Sequence, residues 1–195
     1  MDNIVKKIYK LVTEAKRKDI DPKLKAWIEQ RYGPWDDRDF ISDDGDTYFK
    51  TDGSFTTRKS LFLTEDITIT NNSYLILNTY GAFYGQGYTI TIQNVTNHQG
   101  LFELDGGKVM DVHVVSISST IATESGWIAR TEAYGFIENC SSNGAIPTKA
   151  GGIAGSNAAL GSRKLEIKNF SSSGNISADA GGIVGEKSGN NGTVV

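Results

Sequence analysis

The sequence predicts a mainly β protein: a right-handed parallel β-helix, or solenoid, preceded by a short N-terminal α-helical segment. Three observations carry that prediction. Charge and glycine are unevenly divided along the chain, residues 1–31 carry helical periodicity, and the chain from about residue 60 onward resembles itself at a fixed interval.

With 195 residues, 38% of them apolar and 22% charged, the chain can bury a sizeable core and stay in water. No run approaches 18 consecutive apolar residues, so no transmembrane helix is predicted. A formal charge of −3 gives no footprint for nucleic acid. One cysteine excludes an internal disulfide framework, and two histidines argue against a zinc site. The opening residues lack an unbroken apolar stretch and a small-residue cleavage site, so synthesis without a signal peptide is expected. Gly 22 against Pro 3 points to many tight corners.

Residues 1–50 hold 22 charged side chains and two of the 22 glycines. Residues 1–31 carry nine basic and five acidic groups, net +4, whereas residues 32–52 carry two basic and seven acidic, net −5. This division sets three expected regions: a two-helix cap or anchor at 1–33, an acidic connector at 34–58, and β-helix repeats from 59 to 195.

In the first region Ile4, Val5, Ile8, Leu11, Val12 and Ala15 recur at three- and four-residue spacing, which makes one apolar stripe on a helix. Asp21-Pro22 supplies an N-cap and a first-turn proline for a second helix. Leu24, Trp27 and Ile28 form its apolar side, and Gly33-Pro34 ends it. Helices this short are not stable alone, so the stripe docks on the end of the β domain or on a partner. Ile4, Ile8, Leu11, Val12 and Trp27 are the candidate anchoring face.

The connector is rich in aspartate: Asp36, Asp37, Asp39, Asp43, Asp44, Asp46 and Asp52. Carboxylates suit calcium, but the spacing does not match an EF-hand, and Asp and Gly are the ordinary residues of turns. No metal and no cofactor are predicted.

Beyond residue 60, short runs such as Ile67-Thr68-Ile69 and Thr89-Ile90-Thr91-Ile92 alternate as strands do. Gly100-Leu101-Phe102, Gly126-Trp127-Ile128, Gly152-Ile153-Ala154 and Gly182-Ile183-Val184 begin at intervals of 26, 26 and 30. A second column reads Val109-Met110-Asp111-Val112, Ile137-Glu138-Asn139-Cys140 and Ile167-Lys168-Asn169-Phe170. The last two continue as Ser141-Ser142-Asn143-Gly144 and Ser171-Ser172-Ser173-Gly174. A propeller blade needs more residues, and leucine-rich or ankyrin units would show their own spacing. One coil of a parallel β-helix fits.

Stacking then assigns roles. Val112, Cys140 and Phe170 form one inward column, with Cys140 a small core residue and not a nucleophile. Asp111, Asn139 and Asn169 form a neighbouring column whose amides can bond along the axis. Gly151-Gly152 and Gly181-Gly182 mark positions needing positive φ or close backbone approach. The helices would cap the first end. No cap is legible at the other, so a longer protein or a covering partner is expected there.

These residues resemble the GLUG-motif repeats, named for a Gly-Leu-hydrophobic-Gly core followed by Gly, hydrophobic and Asn-Cys positions. Gly151-Gly152-Ile153-Ala154-Gly155 and Gly181-Gly182-Ile183-Val184-Gly185 match best, with Ile for Leu. Asn139-Cys140 and Asn169-Phe170 match the following element, and Gly81-Ala82-Phe83-Tyr84-Gly85-Gln86-Gly87 is similar to the family's lead-in. Gly126-Trp127-Ile128-Ala129-Arg130 departs by lacking the closing glycine. Such repeats occur in bacterial surface adhesins, secreted proteins and large-virus proteins. The resemblance implies an extended surface or binding scaffold.

Three functions follow as expectations. The first is a non-enzymatic structural or attachment scaffold, virion-associated as a capsid, spike or tail-spike-like component, or at a cell surface. Its partners would be other subunits of a particle or a homo-oligomer, with no nucleic acid and no membrane span. The second is a glycan-binding adhesin module. Tyr84, Trp127 and Tyr134, with Tyr80 and Tyr88, are the rings that would stack on surface glycans. The third is a polysaccharide lyase or hydrolase, whose outward acid–base candidates are Glu103, Asp105, Arg130, Glu132 and Glu138. These do not recur as a tight set in neighbouring coils, so no catalytic residue is assigned. Six Asn-X-Ser/Thr triplets, at Asn71, Asn94, Asn139, Asn169, Asn175 and Asn191, are what an Asn/Ser/Thr-rich β-helix produces by composition.

Overall fold

The computed structural model describes residues 38–41, 49, 51, 56–57, 60–79 and 81–195. The two predicted helices, with Ile4, Ile8, Leu11, Val12 and Trp27, lie outside the described residues, as does Tyr80.

The chain forms a parallel β-solenoid. Strands β1 (Arg38–Ile41) and β2 (Thr56–Thr57) come first. One turn then holds β3 (Ser60–Leu63), β4 (Ile67–Ile69) and β5 (Leu75–Asn78). The next holds β6 (Ala82–Tyr84), β7 (Thr89–Gln93) and the first half of β8 (Phe102–Met110). The second half of β8 opens a turn with β9 (His113–Ile117), and β10 (Tyr134–Glu138) opens another with β11 (Ser141–Ser142). A fifth begins with β12 (Lys164–Lys168) and β13 (Ser171–Ser172), and β14 (Thr193–Val194) returns to β12. One ladder runs β1-β3-β6-β8-β10-β12-β14, and another runs β4-β7-β9-β11-β13. Every pairing between these strands is parallel. Among the described residues the ladder includes Arg38–Ile41, within the stretch whose sequence reads as a connector.

Strand β8 serves two faces. Phe102 to Asp105 pair with β5, whereas Lys108 to Met110 pair with β6. The strand changes face at Gly106-Gly107, where Gly106 has a φ of 85°.

Register piles like on like. Leu61, Phe83, Val109, Ile137 and Ile167 occupy one place in successive turns, and all are buried. Removing each such side chain from water contributes roughly 1.5–3 kcal/mol. Phe49, Phe83 and Phe102 fill the first turns with rings 4.8 to 5.9 Å apart. Later turns use smaller residues. Phe102 gives way to Ala129 and Ala154, and Ile90 and Val114 give way to Ser142 and Ser172. The buried Ser142 hydroxyl donates to the Gly152 carbonyl at 2.6 Å, which satisfies it inside the core.

The structure keeps three of the four glycine triplets in the expected alignment and shifts Gly126-Trp127-Ile128 by one residue. Gly126 bridges Gly151, which bridges Gly181, and Ala129 bridges Ala154, which bridges Val184. Leu101, Ile128, Ile153 and Ile183 thus share a column, and Trp127 stands where the later turns carry Gly152 and Gly182. Trp127 is fully buried, and its Nε1 donates to the Ala145 carbonyl at 3.2 Å. It is a core residue and not a surface glycan contact. Its indole lies where a Cβ on Gly144 would have to go, which explains that glycine.

Val112, Cys140 and Phe170 do stack in register, since Ser141 donates to the Val112 carbonyl and Ser171 to the Cys140 carbonyl. Val112 and Cys140 are buried, but Phe170 is 43% exposed. β14 adds a rung over β12 alone, so Phe170 and the 56%-exposed Ile176 stay uncovered on the other faces. Burial, foremost, pushes the Cys140 thiol up to about 12, and its Sγ lies 3.2 Å from the Glu138 carbonyl.

Of the two reasons expected for the glycine pairs, close backbone approach is the one that holds at Gly151 and Gly152. Gly151 and Gly152 lack positive φ; they are glycine because backbone of the same or the next turn approaches too closely for a Cβ. The left-handed positions are held by side-chain-bearing residues in columns. Asp111, Asn139 and Asn169 have φ of 56°, 53° and 50°. Glu124, Lys149 and Asp179 have 72°, 66° and 59°, and Glu132, Asn157 and Lys187 have 59°, 56° and 57°. Asn and Asp tolerate this region best because their short side chains bond locally. Asn139 Nδ2 donates to Asp111 Oδ1 at 3.1 Å, while the expected Asn139–Asn169 bond is not formed among the described residues.

Two outcomes follow. Gly144→Ala should lower stability by about 1–3 kcal/mol through overpacking against Trp127, read as a lower urea midpoint. A thiol reagent should leave Cys140 unlabelled in the native chain and label it after unfolding in urea. Rapid native labelling would contradict its burial.

Candidate functional site

A polar hollow sits beside the β8 bend. It has a volume of about 450 Å³ and is lined by Glu103, Leu104, Asp105, Arg130, Thr131, Glu132, Tyr134 and Arg163. Four of the five charged residues that the sequence singled out as outward candidates meet here. Glu138 does not: it lies farther along β10, in register with Met110 and Lys168.

The solenoid creates this meeting. Phe102 bridges Ala129, and the Arg130 amide donates to the Phe102 carbonyl at 2.9 Å, so Glu103 and Arg130 fall at neighbouring places in successive turns. Asp105 pairs with Tyr134 in the same way. Glu132 is brought in by its left-handed corner. Arg163 comes from the turn before β12.

Arg130 occupies the place of Gly155 and Gly185, whose amides donate to the Ala129 and Ala154 carbonyls in the later turns. The missing closing glycine therefore changes the surface of this turn. A side chain exists where the repeat otherwise has none, and its guanidinium lies 3.7 Å above the Tyr74 ring. Arg163 lies over Tyr134 at 4.5 Å. Such stacking holds a guanidinium by its face and leaves its in-plane N–H donors open. Among the described residues neither arginine is ion-paired with a carboxylate, although three carboxylates share the hollow. The Asp105 carboxylate near the Tyr134 hydroxyl is the main cause that raises the phenol's pKa, through hydrogen bonding first. Among the described residues no three His, Cys, Asp or Glu side chains converge as a metal ion would need.

The candidate rings separate. Tyr134 lines this hollow. Tyr84 stacks on Phe62 at 4.7 Å and lines a second hollow of about 430 Å³ with Ser60, Thr79, Gly81, Ala82, Gly106 and Lys108. Trp127 is internal. There is no aromatic row on one face among the described residues. Arg163 and Tyr74 escaped the sequence reading because neither belongs to a repeated column. The only signal was the broken glycine at Arg130.

Arg130 also acts inward. His98 is fully buried, with its ring 6.4 Å from that of Trp127 and neither ring nitrogen hydrogen-bonded among the described residues. Burial first, then the Arg130 charge, lowers its pKa from 6.5 to about 4.

No protein-family model, curated protein or solved structure matches this chain. No helix among the described residues is long and apolar enough to cross a membrane, which leaves β-barrel spans unaddressed.

The His98 shift has a definite sign. The imidazole is held neutral in the fold, so its contribution is present above pH 6.5 and is lost as pH falls from 6.5 towards 4. The loss amounts to about 3 kcal/mol over that window. His98→Leu should flatten the slope of urea-measured stability between these pH values. An unchanged slope would assign it to carboxylates instead.

Proposed function

We propose that this chain is a non-enzymatic structural and attachment scaffold, a virion-associated or surface-exposed rod of the kind that the GLUG resemblance implies. In this reading the solenoid is right-handed, as crossovers between parallel strands nearly always are. The helical N-terminal segment anchors it through Ile4, Ile8, Leu11, Val12 and Trp27. The supporting observation is the axial stack itself: five apolar residues in one column, with the backbone of each turn bonded to the next. Repeats that contact only their neighbours make extended, stiff surfaces, which suits display and spacing.

Antibody labelling of the native source, viewed by electron cryotomography, tests the scaffold reading. Label on a particle or cell surface is the expected result, and diffuse label inside cells would overturn it. Incubation of the full chain with polysaccharides should release neither reducing ends nor unsaturated uronate absorbance. Steady release of either product would make it an enzyme.

A further inference from the structure

We propose that the hollow formed by Glu103, Asp105, Arg130, Glu132, Tyr134 and Arg163 binds a neutral oligosaccharide. The proposal goes beyond the scaffold reading and does not rest on it, because a rod without a sugar site is still a rod.

Size comes first. A hollow of about 450 Å³ lies within the range of small-ligand sites and suits a short saccharide. Chemistry narrows the class. Two guanidiniums supply donors, three carboxylates supply acceptors, and the Tyr134 hydroxyl supplies either. A ligand matching all of them carries many groups that both donate and accept, closely spaced, and sugar hydroxyls do so. The opposite charges are present together yet unpaired, so their hydrogen-bonding capacity is available to a ligand. Stacking on Tyr74 and Tyr134 holds both arginines in place, which reduces the ordering needed on binding.

The competing classes fit less well. Two arginines against Glu103, Asp105 and Glu132 leave the hollow at a formal −1, which opposes phosphates and acidic sugars. The carboxylates do not converge on one point, so a metal ion lacks its ligand set. The charged lining gives an apolar peptide side chain nothing to bury against.

The test is calorimetric titration of the full chain with cellohexaose, maltohexaose, xylohexaose, mannohexaose and chitohexaose, and with oligogalacturonate and hyaluronan fragments as acidic probes. Saturable binding of at least one neutral probe is expected, nearly unchanged between about 0.05 and 0.5 M sodium chloride, because no net ligand charge is screened. Arg163→Ala and Glu132→Gln should each weaken it about tenfold, the loss of one charge-assisted hydrogen bond. Lys108→Ala, in the other hollow, should leave it unchanged. Both groove substitutions sit at exposed corners, and a circular dichroism melt confirms that each variant folds. Should Arg163→Ala fail to fold, Glu132→Gln alone decides. The proposal is overturned by no binding of any neutral probe, by binding of acidic probes only, or by neutral binding that both groove variants retain. Loss of the sugar site would leave the surface-labelling result untouched, so the two readings fail separately.

Discussion

A parallel ladder in which each turn lies directly on the previous one is the constraint behind everything else in this molecule. Backbone bonds along the axis fix equivalent residues about 4.8 Å apart, so any residue is next to its counterpart one turn away. Inward positions must then be mutually compatible down the whole column. Leu61, Phe83, Val109, Ile137 and Ile167 meet that demand with apolar side chains. Ser142 and Ser172 meet it with hydroxyls 3.3 Å apart, Ser142 also bonding to the Gly152 carbonyl. Corners face the same demand. If one turn bends through a left-handed residue, the next must do so at the same place, and three columns of Asp, Asn, Glu and Lys do.

This repetition accepts local conformational cost. A residue with a Cβ in the left-handed region is disfavoured by roughly 1–2 kcal/mol, less for Asn and Asp. Glu124, Lys149 and Glu132 adopt it nonetheless, because the ladder bonds on either side leave no other path. Lys149 is also placed between Glu124 at 3.9 Å and Glu186 at 3.4 Å. With these side chains substantially exposed, that arrangement adds little stability and chiefly keeps like charges from stacking.

The repetition breaks at two nearby places in one turn. Trp127 replaces a glycine of the later turns and fills the interior, and Arg130 replaces another and enters the hollow beside β8. A regular solenoid presents the same surface at every turn and so selects no particular ligand. Two adjacent departures in one turn make that turn unlike its neighbours, inside and out. Arg130 links the two sides, since its charge adds to the burial that keeps His98 neutral.

The residues alone were enough to establish a β-solenoid from about residue 60, the burial of Cys140, and the shared register of Val112, Cys140 and Phe170. Those properties depend on interval and alternation, which are one-dimensional. Of the four glycine triplets only Gly126-Trp127-Ile128 was one residue off, because Gly126 belongs to the column of Gly151 and Gly181, a choice that only the bridges between turns make. The corner columns were partly missed, since Glu and Lys give no sign of left-handed backbone. Phe170 lay in its expected column but not in the expected environment, because burial depends on what covers a rung. The hollow was beyond reach for a related reason. Glu103, Arg130 and Arg163 belong to different turns, and sequence gives their separation along the chain but not the winding that closes it. What one dimension encodes is the repeat, and what the third dimension decides is which exceptions to the repeat become neighbours.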